Sequence, residues 1–185
     1  RDATRRRAAR AVRKGGRKKA EKGEDDALCV ICLSPPTDPV ELPCGHDYCK
    51  SCLAQLREKG VDKSCPLCRE PLPPGPKQLY DLGYRTYTRV QAVVCPDMNA
   101  SWESITLTAG QQHQMDEARA MLREAADQGH MDAQATVGWI HDFARGVRKD
   151  DEIAFMYYEK AAVQGHVVAQ HNTGIYYRDG LGCEQ

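Results

Sequence analysis

The sequence predicts a small cysteine-rich module followed by an all-α solenoid of helical repeats, with a disordered basic tail in front. Three observations carry this. Seven of the nine cysteines crowd into residues 29–68, with one histidine among them. Residues 123–147 align with 159–183 at a constant offset of 36, with 9 identities in 25. Charge is split along the chain. The 185 residues hold 26 basic and 26 acidic side chains, yet 11 of the basic and two of the acidic ones lie in residues 1–22. That stretch carries +9 and the remainder −9, so the net charge of zero describes neither part.

The opening RDATRRRAARAVRKGGRKKAEK has little beyond Val12 and some alanines to bury. Such a segment cannot offset the entropy of ordering its chain, so residues 1–24 read as a disordered basic tail. RRRAARAVRKGGRKK resembles a bipartite basic import signal. A charge run alone supports no nucleic-acid role beyond weak tail binding. No apolar run approaches the roughly 18 residues a membrane span needs, and no secretory stretch stands near the start. A cytoplasmic or nuclear protein without a membrane partner is expected. The chain begins at Arg1 rather than Met, which suggests a piece of a longer protein.

The cysteine cluster, residues 25–72, has regular spacing. It runs Cys29-x2-Cys32, then Cys44-x-His46, then Cys49-x2-Cys52, then Cys65-x2-Cys68. Eight soft ligands in four pairs suit two tetrahedral zinc sites, because a two-residue spacer lets one tight turn present two thiolates to one ion. Sites with four protein ligands leave no open position for water, so both zincs should be structural. Disulfides are the alternative. The odd cysteine number, a histidine in register and the lack of an export signal argue against them. A module of this size is also too small to hold itself together by apolar burial alone, and structural zinc supplies on the order of 10 kcal/mol per site.

The ligand order, with "ELPCGHDYCKSCL" and "CPLCR", resembles a RING finger. The histidine in fourth place separates it from a plant-homeodomain finger, where it comes fifth. The resemblance implies a cross-brace: Cys29, Cys32, Cys49 and Cys52 on the first zinc, and Cys44, His46, Cys65 and Cys68 on the second. Leu42 and Tyr48 would pack the core, and Lys50 to Lys59 would form a short helix closed by Gly60. RING fingers mostly act as ubiquitin ligases, docking a ubiquitin-conjugating enzyme that carries ubiquitin as a thioester. By position, Ile31, Leu56 and Pro66 belong to the docking surface. Leu56 stands where several ligases place a Trp. Arg69 matches the catalytic linchpin, which contributes no nucleophile but bridges carbonyls on ubiquitin and on the conjugating enzyme.

Pro71-Leu72-Pro73-Pro74-Gly75-Pro76 cannot be crossed by an intact helix or central strand and marks a boundary. Residues 73–107 read as a linker that leans to helix, with Leu79, Leu82, Val90 and Val93 near helical spacing, although Thr86, Thr88 and the valines favour strands. Beyond Thr108 the apolar stripe is regular. Ala118, Met121, Leu122, Ala125 and Ala126 fall on one helix face, and Ala154, Tyr157, Tyr158, Ala161 and Ala162 repeat it. Thr108 and Gln111 suit a capping box, Asp150 and Asp151 a helix start, and Gly129 and Gly165 a helix end. The period indicates a solenoid. "YYEKAAVQGHVVAQHNTGIYYRDGLG" resembles the Sel-one-like repeat, a relative of the tetratricopeptide repeat, over residues 108–185. Gly138 and Gly174 are expected to let neighbouring helices approach closely. His130 and His166 read as repeat positions rather than metal ligands.

Together these readings point to a ubiquitin ligase with two structural zincs, whose repeats recruit a protein client. A non-enzymatic zinc-binding scaffold, binding proteins through both parts, is the alternative.

Overall fold

The chain was analysed as a computed structural model that describes residues 28–60, 64–95, 102 and 105–182. The tail reading for residues 1–24 lies outside the described residues. Two compact units divide at Pro73/Pro74, within the Pro/Gly stretch.

The first unit contains a two-stranded antiparallel sheet, β1 (Pro39–Glu41) with β2 (Asp47–Cys49), followed at once by helix α1 (Lys50–Glu58). Val40 pairs with Tyr48. Gly45 turns the hairpin at φ 83°, with the Leu42 amide bonded to the His46 carbonyl at 2.9 Å. Leu42, Tyr48 and Leu53 are buried among the thiols of Cys29, Cys49, Cys52 and Cys65. Few side chains other than cysteine are fully buried here, too few for a module this small to stand on apolar burial alone. α1 ends at Gly60, whose amide bonds to the Arg57 carbonyl at 3.0 Å with φ 71°.

The second unit is all-α among the described residues: α2 (Pro76–Val94), α3 (Ala109–Asp127), α4 (Met131–Asp142), α5 (Asp151–Val163) and α6 (Val167–Asp179). Pro76 occupies the first turn of α2, where a missing N–H costs nothing. The Gly75 amide donates to Gln78 Oε1 at 3.1 Å. Residues 73–107, read from the sequence as a linker, therefore include a 19-residue helix within this unit. Its buried face runs through Leu79, Gly83, Tyr87 and Val90. Leu82 and Val93, expected on that face, are 54% and 71% exposed, because the inward stripe passes through the small Gly83. A Cβ on Gly83 would lie 3.0 Å from the Ala118 carbonyl oxygen and 3.1 Å from Leu122 Cγ. The glycine lets α2 press onto α3, over a core that includes Met115, Ala118 and Leu122.

The repeat identities have local physical causes. α3 ends in a Schellman motif, with the Gly129 amide bonded to the Ala126 carbonyl and the His130 amide to the Ala125 carbonyl. Gly129 sits at φ 95°. His130 then opens α4, its Nδ1 accepting from the Ala133 amide at 3.3 Å. The α5–α6 corner repeats this at Ala161, Ala162, Gly165 and His166, with His166 Nδ1 accepting from Ala169 at 3.1 Å. Gln134 and Gln170 donate back to the carbonyls of Ala126 and Ala162. Gln164 Nε2 donates to Gln134 Oε1 at 2.6 Å, locking one repeat to the next. Thr108 and Gln111 form the expected capping box, and Asp150 caps α5 at the Ile153 amide, 2.9 Å away. Gly138 packs under Tyr158, where a Cβ would lie 2.8 Å from Cδ1. Gly174 does not match the expected close approach, since nothing lies within 4 Å of its Cβ position. It stands on α6, the last helix among the described residues. No helix among the described residues is long and apolar enough to cross a membrane.

Candidate metal centres and the surface beside them

The first centre joins two stretches of chain. Cys29 and Cys32 sit on a tight loop where the Leu33 amide bonds to the Cys29 carbonyl at 2.7 Å and the Cys29 amide to the Ser34 carbonyl at 2.9 Å. Cys49 ends β2 and Cys52 lies in the first turn of α1. The second centre takes Cys44 and His46 from the hairpin turn, and Cys65 and Cys68 from a second tight loop. That loop repeats the first, with the Arg69 amide on the Cys65 carbonyl at 2.8 Å and the Cys65 amide on the Glu70 carbonyl at 2.7 Å. The pairs therefore interleave along the chain, first with third and second with fourth.

Within each set of four, the ligand atoms all lie within 4.8 Å of one another. Tetrahedral coordination at ordinary zinc–sulfur and zinc–nitrogen lengths places ligand atoms about 3.5–3.8 Å apart. Cys32 and Cys49 Sγ are 3.7 Å apart. His46 Nδ1 is 3.4 Å from Cys44 Sγ and 3.7 Å from Cys65 Sγ. The donor set and its spacing fit two zinc ions.

The surroundings favour thiolates unevenly. Burial works against the Cys29 thiolate, but amide donors from Cys49, Cys32 and Ile31 and the Cys32 thiol outweigh it and bring its pKa down to about 6. Cys65 falls likewise to about 6, where burial is outweighed by the Tyr48 hydroxyl, 3.1 Å away, and by the amides of Cys68 and Leu67. Burial pushes Cys44 up to about 11 against the His46 amide, with the Cys68 and Cys65 thiols adding to it, and burial followed by the Cys32 and Cys29 thiols pushes Cys52 up to about 12. Cys29 and Cys65 thus favour the thiolate, while Cys44 and Cys52 resist ionisation beside them. A divalent cation removes that conflict, and bound thiols deprotonate outright. The Thr37 amide, donating to Cys49 Sγ at 3.3 Å, and the Tyr48 hydroxyl are outer-shell donors that hold ligands in place.

Ile31, Pro66 and Arg69 are exposed, on or just after the two loops. Leu56 is half-buried and packs against the core of the first unit. Leu33 and Leu67, not singled out from the sequence, are 75% and 52% exposed. Leu33 and Arg69 hold equivalent loop positions, each four residues after the first cysteine of its pair, and both have left-handed backbone, at φ 58° and 62°.

Residues 25–73 match the zinc finger, C3HC4 type (RING finger) family. Residues 109–130, 132–166 and 167–185 match the Sel1 repeat. The chain thus carries a RING-type zinc finger with two zinc-binding clusters, followed by Sel1 repeats. Over 54 residues it is 50% identical to mouse E3 ubiquitin-protein ligase TRIM65, covering 29% of this chain and 10% of that one. It is 46% identical over 52 residues to the human TRIM65 protein, covering 28% and 10%. The zebrafish E3 ubiquitin-protein ligase rnf213-beta is 46% identical over 44 residues, 24% of this chain and 1% of that one. The chain spans about a tenth of the length of the TRIM65 relatives. A solved Sel1 repeat protein from Oxalobacter formigenes is 35% identical, with 58% of this chain and 73% of that one covered at a TM-score of 0.38.

Proposed function

We propose that this chain is a RING-type ubiquitin-protein ligase that recruits a ubiquitin-conjugating enzyme through the zinc finger and a protein client through the repeats. The observation carrying this is a complete pair of four-ligand clusters within a segment half identical to a ubiquitin ligase. In the reaction, a client lysine amine attacks the thioester carbonyl carbon. A C–N bond forms, the C–S bond breaks, and the thiolate leaves on the conjugating enzyme. The RING supplies no nucleophile; its contribution is to hold a reactive geometry. Cys29, Cys32, Cys49 and Cys52 would hold one zinc, and Cys44, His46, Cys65 and Cys68 the other. The zincs act as structural pins that fix the two loops.

Ile31, Pro66, Leu33 and Leu67 offer the apolar contact, with Arg69 beside them as the linchpin. Arg69 has forked donors suited to two carbonyls at once. A non-Gly residue in left-handed backbone costs on the order of 1 kcal/mol, and such positions cluster at functional sites. Half-burial of Leu56 leaves it a smaller part in docking.

The test is self-ubiquitination by the purified zinc-loaded chain against a panel of conjugating enzymes. Ile31→Ala and Arg69→Ala are each expected to lower transfer by about tenfold or more, a loss of about 1.4 kcal/mol in transition-state positioning. Native-like transfer in both variants would reject these roles. Silence of the native chain with every conjugating enzyme would leave the scaffold reading.

A further inference from the structure

The second unit contains a cleft of about 570 Å³ walled by α2, α4, α5 and α6. Its size is that of a site for a few residues of peptide. Four tyrosines and a tryptophan stand in the wall: Tyr80, Tyr84, Tyr87, Tyr158 and Trp139. Tyr84 is 45% exposed and stacks on Tyr80 with ring centroids 5.4 Å apart, and Tyr80 stacks on His130 at 4.7 Å. Tyr87 is 1% exposed, and its hydroxyl has no hydrogen-bond partner among the described residues. Among the residues lining the cleft, Asp132 is the one carboxylate, and none is Lys or Arg. The Asp132 carboxylate is half exposed, and its ion-pair contact among the described residues is His166 Nε2 at 3.7 Å. His166 Nδ1 accepts from the Ala169 amide at 3.1 Å as the α6 cap, so the ring turns only its Nε2 edge to Asp132, beyond hydrogen-bond distance.

We propose that this cleft binds an extended peptide segment through an arginine or lysine side chain laid against Tyr80 and Tyr84 with its charge toward Asp132. The proposal rests on the reading of the repeats as a client-binding module and gives that client a chemistry. Stacked aromatic faces attract a cation through their quadrupole, and a lone carboxylate in a largely apolar wall favours a partner of opposite sign. Gln91 and Asn172, also in the wall, carry amides that suit the peptide backbone on either side.

The experiment measures binding of the full zinc-loaded chain to four fluorescent heptapeptides, Gly-Ala-Leu-X-Leu-Ala-Gly, with X as Arg, Lys, citrulline or Glu. The Arg and Lys peptides are expected to bind on the order of tenfold more tightly than citrulline, which keeps the shape of Arg without its charge. Asp132→Asn should remove that preference, leaving the citrulline peptide unchanged. Tyr84→Ala, at an exposed position, should weaken the Arg and Lys peptides severalfold. Far-UV melting of both variants establishes that they fold. Equal binding of Arg and citrulline peptides, tighter binding of Glu, or no binding of Arg at 1 mM would overturn the proposal. Tight binding of a peptide without a cation would overturn it while sparing client binding in general. Ligase activity is read separately, by self-ubiquitination of the native chain.

Discussion

At the scale of single residues, Arg69 carries the sharpest conflict between stability and role. Its loop needs left-handed backbone after the second cysteine of the pair, a conformation glycine takes freely. Arg69→Gly is therefore expected to melt, with zinc bound, at the native temperature or slightly above it. Self-ubiquitination should nevertheless fall by about tenfold, because the forked donors are gone. A variant that both melts lower and transfers normally would show that the arginine serves the loop rather than the reaction. The eight ligand positions were legible in the sequence because spacing alone encodes tight turns and soft donors. The exposed Leu33 and Leu67 were not, since a leucine in so small a module reads as core until neighbours are placed around it. Leu56 shows the reverse: its position suggested a surface role, yet α1 turns it half inward.

At the scale of elements, the paired corners Gly129-His130 and Gly165-His166 set how helices follow one another. The sequence marked the glycines as helix ends, but the histidines as no more than repeat positions. Their function as caps needs the ring nitrogen placed 3.3 and 3.1 Å from an amide, a distance that spacing cannot supply. An imidazole can accept at Nδ1 only while that nitrogen is unprotonated. Burial holds His130 below its ordinary pKa of 6.5, against Asp132 and Asp81 and helped by Lys77. Burial also lowers His141, with Arg123 adding and Asp150 opposing. Between the folded pKa and 6.5 the unfolded chain binds more protons, so stability rises with pH there. It is fully present above 6.5 and declines as pH falls toward the folded value. Thermal melts of the second unit's helical signal from pH 7.5 to pH 5 should show this drop. His130→Asn keeps an acceptor without a titrating ring and should make the dependence shallower; an unchanged slope would remove His130 from the account. Gly83 belongs to this scale too. Its close contact with α3 is tertiary, and nothing in the local pattern of α2 distinguishes it from a propensity defect.

At the scale of the whole molecule, the two units rely on different physics. The first depends on metal ligation where apolar burial is small, whereas the second buries two apolar clusters that together draw on all five of its described helices. Removing zinc with a strong chelator is expected to release two ions per chain and unfold the first unit, while most of the helical circular dichroism, contributed by α2 to α6, remains. Mass spectrometry of the native chain and far-UV spectra before and after chelation check both halves. Fewer than two zincs, or collapse of the entire helical signal, would contradict it. The division at Pro73/Pro74 was legible as a Pro/Gly boundary, but the membership of α2 was not, because mixed helix and strand preferences in 77–94 gave no sign of which neighbour it would meet. The Schellman corners have one more effect, on how such a chain can change length. Between α3 and α4, and again between α5 and α6, only a glutamine, a glycine and a histidine intervene, the glycine as exit and the histidine as entry, with no residue to spare. An added or deleted amino acid there would rotate every later helix out of phase. The longer stretch 143–150 between α4 and α5 is pinned as well, with the buried Arg145 over the Trp139 ring and the Gly146 carbonyl accepting from Arg119 Nη1 at 2.7 Å, so natural variants of this array should change length by whole repeats rather than by single residues.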